Sequence, residues 1–294
     1  MSDTLESLGR KITGAGDLKS VVRTMKVLAA SNIVQYEKAV SALADYYHTV
    51  EMGLFVCLQE RQKAQSIEKV WQEKYEKIYV VAFGSDQGLV GQFNDVLSEF
   101  MEKTLTDIQG TKKIWAVGER IQAKIDDSGL SCRGLFSVPH SVTTITPLVG
   151  QILQEYEQNV ENGNIPQLYL FYNRQKHASI YEPVFQRLLP LDDSWRNGMA
   201  ELRWPTQKIP EALFGVETTL RGLIRNYLFV SLFRACAESL ASENASRLAA
   251  MQRAEKNIDE LLEELGRAYH RLRQRSIDEE LFDVISGSEA LNNE

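Results

Sequence analysis

The sequence predicts an α/β protein with long helices, in which the two ends of the chain wind into an antiparallel coiled coil and the middle forms a small α/β domain. Three observations carry that expectation. The first sixty or so residues hold an apolar seam at alternating spacings of four and three. The last third repeats that spacing without a proline. Between them the period changes to that of buried strands separated by turns and helices.

The N-terminal seam runs Val22, Lys26, Ala29, Ile33, Tyr36, Val40, Leu43, Tyr47, Val50, Leu54, Cys57, with Lys26 its only charged member. Leu5, Leu8 and Ile12 extend it upstream, past Gly14 and Gly16, each of which weakens a helix by about 1 kcal/mol relative to alanine. A helix from Thr4 to Arg61 would be roughly 85 Å long at 1.5 Å per residue, too long to hide inside the chain's own core. In the C-terminal segment no proline follows Pro205 and Pro210. Leu220, Ile224 and Tyr227 open a stripe there, and Ile258, Leu262, Leu265, Tyr269 and Leu272 repeat at four and three. A helix from Glu211 to Ile285 would reach roughly 110 Å. The compact segment between the two helices returns the chain, so they should pack antiparallel. The polar tail SGSEALNNE is expected to be flexible beyond the last helical turn. The expected parts are an N-terminal shaft helix (1–62), an α/β domain (74–190) and a C-terminal helix with its tail (208–294).

The middle segment reads as Rossmann-like. Ile78 to Phe83 is a buried strand, followed by a turn-rich loop and a helix from Asn94. Lys112 to Gly118 and Arg133 to Val138 give two more strands. Thr146 to Asn159 reads as a helix with Pro147 in its first turn. Gln167 to Arg174 and Val184 to Pro190 complete a largely parallel sheet with helices on its faces.

Composition narrows the function. The formal charge of -7 argues against a dedicated nucleic-acid binder, which would carry a basic surplus. No apolar run approaches the roughly 20 residues needed to span a bilayer, so no direct membrane insertion is expected. The opening MSDTLESLGRK has no apolar core and no Arg-rich, acid-poor bias, so the expected place of action is the cytosol or the cytosolic side of a membrane complex. Cys57, Cys132 and Cys236 are far apart, as are His48, His140, His177 and His270, and neither set has metal-knuckle or redox-pair spacing. No carboxylate pair stands out as an acid/base dyad. The expectation is no catalysis, no metal and no cofactor.

Two motifs keep more than one reading. Gly84 to Gly91 follows a strand and precedes a helix, where doubly wound folds hold phosphates. Its glycines at 84, 88 and 91 match neither GxGxxG nor GxxxxGK, which favours a tight turn in which Ser85 and Asp86 cap backbone amides. Arg267, Arg271, Arg273 and Arg275 could form a solvated helix face, a nucleic-acid stripe, or a set that engages a partner's carboxylates.

Several segments resemble the gamma subunits of F-type ATP synthases. RTMKVLAAS (Arg23 to Ser31) is similar to the family's KAMKMVAA, and SDQGLVGQFN (Ser85 to Asn94) to its SDRGLCGGLN. FYNR (Phe171 to Arg174) sits where the family has a strand ending in YN. SENASRLAAMQRAEKNIDEL (Ser242 to Leu261) and RQRSIDEELFDVISGSEAL (Arg273 to Leu291) resemble the family's C-terminal signatures, in order and over essentially the whole chain.

The resemblance implies a central-stalk rotor. The shaft would turn inside a ring of alpha and beta subunits, with the α/β domain at its foot against the epsilon subunit and the membrane c-ring, on the cytoplasmic face of a bacterial inner membrane. ATP chemistry would belong to beta, and this chain would bind no nucleotide. Matching positions imply that Met25 and Lys26 meet an acidic lever of beta. By the same match Arg247, Arg273 and Gln274 contact a beta loop. Ile277, Leu281, Val284 and Ile285 would either form an apolar tip in the ring's sleeve or pack against the N-terminal helix. Asp278 for the family's threonine, Gly14-Ala15-Gly16 for a polar helical stretch, and Gln92 for a glycine mark a divergent member, in keeping with an alternate F-type ATPase. The competing expectations are a non-rotary coiled-coil scaffold and a nucleotide-binding α/β enzyme using the loop at Gly84.

Overall fold

The computed structural model describes residues 4–64, 77–160, 166–177, 180–191, 195, 208, 210–212 and 215–292. Its order is α1 (Leu5–Ala64), β1 (Lys77–Phe83), α2 (Phe93–Thr106), β2 (Thr111–Val117), α3 (Glu119–Asp127), β3 (Cys132–Phe136), α4 (Val142–Gln158), β4 (Gln167–His177), β5 (Ile180–Leu189) and α5 (Val216–Asn292). The helices α1 and α5 hold 60 and 77 residues, each unbroken, as their proline-free seams predict.

The chain divides into two compact units. One is Ala30–Arg247; the other combines the N-terminal end up to Ala29 with the C-terminal end from Leu248.

In the larger unit the sheet order is β3-β2-β1-β4-β5. The first four strands are parallel where they pair, and β5 returns antiparallel to β4. Alternation along β1 assigns its two faces. Ile78, Val80 and Ala82 pack with Leu97, Met101 and Leu105 of α2 and Ile121 and Ile125 of α3. Tyr79, Val81 and Phe83 pack with α4 and with parts of both long helices, including Val50 and Leu54 of α1 and Tyr227 and Leu232 of α5. Much of the seam therefore does two jobs. Between Tyr36 and Cys57, and from Leu220 to Ala241, it closes the α/β core as well as pairing the helices. The pairing is antiparallel, since Tyr47 meets Tyr227 and Asn32 bonds to Asn244.

Three local expectations need correction. The helix α4 starts at Val142, four residues early, because the Ser141 N–H donates to Thr144 Oγ1 (3.2 Å) and closes its first turn. Pro147 thus lies inside the helix instead of in its first turn. A short helix, α3, stands where none was anticipated; it buries Ile121 and Ile125, one turn apart. The tail is not free of structure, since α5 continues to Asn292.

In the smaller unit the two helical ends pair antiparallel. Lys19 pairs with Asp259, while Arg23 and Lys26 reach Glu255. Leu8, Ala15, Ala29 and Met251 are buried between the helices. Ile258, Leu262, Leu265, Tyr269 and Leu272 are half-buried along the predicted line. Ala15 continues the seam between its two glycines, so the glycine pair does not interrupt the packing.

Candidate functional site

The loop after β1 is tied down on every side. Gly84 N–H donates to Val117 O (2.9 Å) and Arg120 N–H to Ser85 O (2.9 Å). Ser85 N–H donates to Asn94 Oδ1 (3.1 Å), and Asn94 Nδ2 to Ser85 Oγ (2.8 Å). Asp86 accepts from Glu119 N–H (3.0 Å) through one oxygen and from Val138 N–H (3.0 Å) through the other. The Asp86 carboxylate thus sits at the N-terminus of α3, where the helix dipole would otherwise draw an anion. A phosphate placed there would meet that negative charge. The loop is a structural turn.

Across the loop lies a polar stretch of α5 whose importance sequence reasoning missed. Glu243 is buried and bonded to Arg247 (Oε1 to Nη2, 2.5 Å), and Arg247 also donates to Asn244 Oδ1 (3.4 Å). Burial raises the Glu243 carboxyl above its ordinary range, against the pull of Arg247. Five polar residues, Ser239, Ser242, Glu243, Asn244 and Ser246, are buried within eight positions. That density of polar residues, in a seam that is otherwise apolar, is the signal in the sequence that could have found it.

The remaining singled-out residues lie in the smaller unit. Met25 and Lys26 are half-buried. Lys26 Nζ bonds Glu255 Oε2 (2.5 Å) and Arg23 Nε bonds Glu255 Oε1 (2.8 Å). The hydrogen bonds from Lys26 and then Arg23 hold the Glu255 carboxyl down at about 2. A depressed carboxylate contributes stability that is present above its unfolded value and is lost as pH falls through the folded one. Acidification from about pH 5 toward about pH 2 should therefore loosen this helix pair, and Glu255→Gln should remove that dependence. Amide exchange of residues 19–29 across that range checks it; identical profiles for the two chains would refute it.

Arg273 and Gln274 are exposed, as are Arg271 and Arg275, while Arg267 pairs with Glu263 (3.3 Å). Beyond Ser276 every residue with a described side chain is exposed. Ile277, Leu281, Phe282, Val284 and Ile285 keep 45% to 70% of their surface open, so of the two readings left open the one in which this tip packs against the N-terminal helix is not seen among the described residues. A second apolar line, Leu18, Val21 and Leu28, is exposed on α1 itself, with Val27 beside it. Arg247 belongs to the larger unit, where it is engaged internally, and Arg273 and Gln274 belong to the smaller.

Among the described residues no His/Cys/Asp/Glu cluster could hold a metal, and no helix is long and apolar enough to cross a membrane.

A family model described as ATP synthase matches residues 4–291. The ATP synthase gamma chain of Syntrophus aciditrophicus (strain SB) is 26% identical over 300 residues, covering 98% of each chain. That of Leifsonia xyli subsp. xyli is 26% identical over 305 residues, covering 100% of this chain and 99% of the relative. Among solved structures, the rotor of Euglena gracilis mitochondrial ATP synthase matches with a TM-score of 0.62 at 14% identity, covering 93% of this chain and 98% of that one. The central stalk of the Tetrahymena thermophila mitochondrial enzyme matches at 0.57 with 21% identity, covering 80% and 99%.

Proposed function

This chain belongs to the ATP synthase gamma family, a non-catalytic central-stalk component of an F-type ATP synthase, and we propose that it couples ion-driven rotation of a membrane ring to conformational change in catalytic beta subunits. One observation carries the proposal. The smaller unit leaves a run of large apolar side chains, Ile277 to Ile285, without cover from the described residues of its own chain. A contiguous apolar surface of that kind marks a contact with another protein. A sleeve formed by alpha and beta subunits would cover it while letting the helix turn, because apolar contact has no preferred direction.

Arg273 and Gln274 are the polar contacts to beta in this reading, since they lie exposed just before the apolar tip. Lys26 serves beta less directly than the resemblance implies. Glu255 holds both Lys26 and Arg23, so that face presents one net positive charge. Epsilon and the c-ring would meet the α/β unit, at the cytoplasmic face of a bacterial inner membrane.

The test is reconstitution. The chain mixed with alpha and beta subunits should yield one copy per assembly and ATPase activity that neither part shows alone. A stable homodimer that ignores the ring would identify a scaffold instead. In the assembled complex, Arg273→Ala or Gln274→Ala should lower turnover by about tenfold, equivalent to about 1.4 kcal/mol. The isolated variants should unfold at the wild-type temperature. Unchanged turnover in both would remove these residues from the contact.

A further inference from the structure

Where α5 crosses the end of β1, the seam turns polar. Ser239, Ser242, Glu243 and Ser246 recur at spacings of three and one that keep them on one helix face, and each is more than nine-tenths buried. Ser239 Oγ donates to the carbonyl of Phe83, the last residue of β1 (3.0 Å). Ser246 Oγ donates to the carbonyl of Val90 (2.5 Å). The two serines are two turns apart on α5, and their acceptors bracket the loop 84–89. That loop is itself fixed to β2 and α3 by the Gly84, Arg120 and Asp86 bonds.

The two hydroxyls satisfy main-chain carbonyls, which an apolar residue in either place would leave without that donor. Direction is what the hydroxyls add. Hydrophobic contact resists separation but is indifferent to angle, whereas a hydrogen bond weakens steeply once its angle falls below about 120°. Two such bonds at different heights on one helix face oppose both twist about the helix axis and slip along it.

We propose that Ser239 and Ser246 are torque-anchoring residues, fixing the rotational setting of α5 on the end of β1 so that twist carried by the helix passes into the sheet. They are positioning residues, remote from any chemistry. The inference rests on the rotor reading and adds to it the place where helix and α/β unit are locked.

The test uses the chain assembled with alpha and beta subunits and a bead attached through Glu102→Cys on α2, an exposed position of the α/β unit. For Ser239→Ala/Ser246→Ala, ATP hydrolysis should stay within about twofold of wild type, while the torque delivered to the bead falls to about half or less. Ser246→Thr on the wild-type background keeps a hydroxyl at that position and should deliver full torque. Should the double variant fail to assemble, Ser246→Ala alone carries the same test, with a smaller torque loss expected at unchanged hydrolysis. Undiminished torque overturns the proposal. So does a proportional fall in hydrolysis and torque, which would reduce the serines to a folding role. Failure of the rotor reading looks different: the wild-type chain itself would give no ATP-driven rotation.

Discussion

Gly118→Ala should lower the unfolding free energy of the isolated chain by roughly 2–6 kcal/mol, a large part of a typical domain's stability of about 5–15 kcal/mol. Gly118 has φ +119°, a region that residues with a Cβ seldom occupy. A Cβ there would lie 2.7 Å from the Ser85 carbonyl oxygen and 2.8 Å from its carbon. Both are backbone atoms, and they are not free to retreat. Ser85 O accepts from Arg120 N–H, Ser85 N–H is held by Asn94, and Gly118 N–H is spent on Phe136 O (2.9 Å). Relief would therefore break bonds across β1, β2 and β3 together. A comparison inside the same molecule isolates this cause. Gly14 and Gly16 lie in α1, and a Cβ at either would meet nothing within 4 Å, so alanine there should stabilise by about 1 kcal/mol through helix propensity. Urea unfolding followed by circular dichroism measures all three. Equal midpoints for Gly118→Ala and wild type would show that the loop is softer than its bonds imply.

The parts of this fold that were legible in the sequence are those that repeat. A spacing of four and three sustained over eleven residues named each seam member of α1, and all eleven are buried or half-buried. The strand cores were legible for the same reason, since β1 is a continuous apolar run. What escaped were features set by a single contact. The start of α4 depends on one side chain, that of Thr144, and α3 is too short to show a period. The polar stripe of α5 was visible as letters in SENASR, but its meaning needs the carbonyls of Phe83 and Val90, which arrive from some 156 residues away. The apolar tip is the opposite case. Ile277, Leu281, Val284 and Ile285 continue a helical spacing, and that spacing is the same whether the face is covered by its own chain or by another. Only the exposure of these side chains separates the two.

Arg247→Ala decides between two roles that the sequence left merged. The resemblance grouped Arg247 with Arg273 and Gln274 as contacts to beta, yet its guanidinium is bonded to Glu243 within the larger unit, with 14% and 6% of the two side chains exposed. If the internal role governs, removing Arg247 leaves a buried carboxylate without its cation. Its second oxygen, Oε2, has no hydrogen-bond partner to take up the charge. Breaking a buried pair from one side costs about 3–5 kcal/mol. Burial already holds Glu243 above its ordinary range, and losing the guanidinium pushes it further in that direction. The penalty is absent below the carboxyl's unfolded value and grows as pH rises toward the folded one. The variant's deficit should therefore be larger at neutral pH than near about pH 5. Arg247→Ala/Glu243→Gln should recover most of it, because the neutral amide has no charge to bury. If contact with beta governs instead, the isolated variant unfolds like wild type at both pH values and only the assembled ATPase suffers. A deficit equal at both pH values and untouched by Glu243→Gln would assign the loss to packing of the arginine stem, and the buried ion pair would then have no part in holding α5 in place.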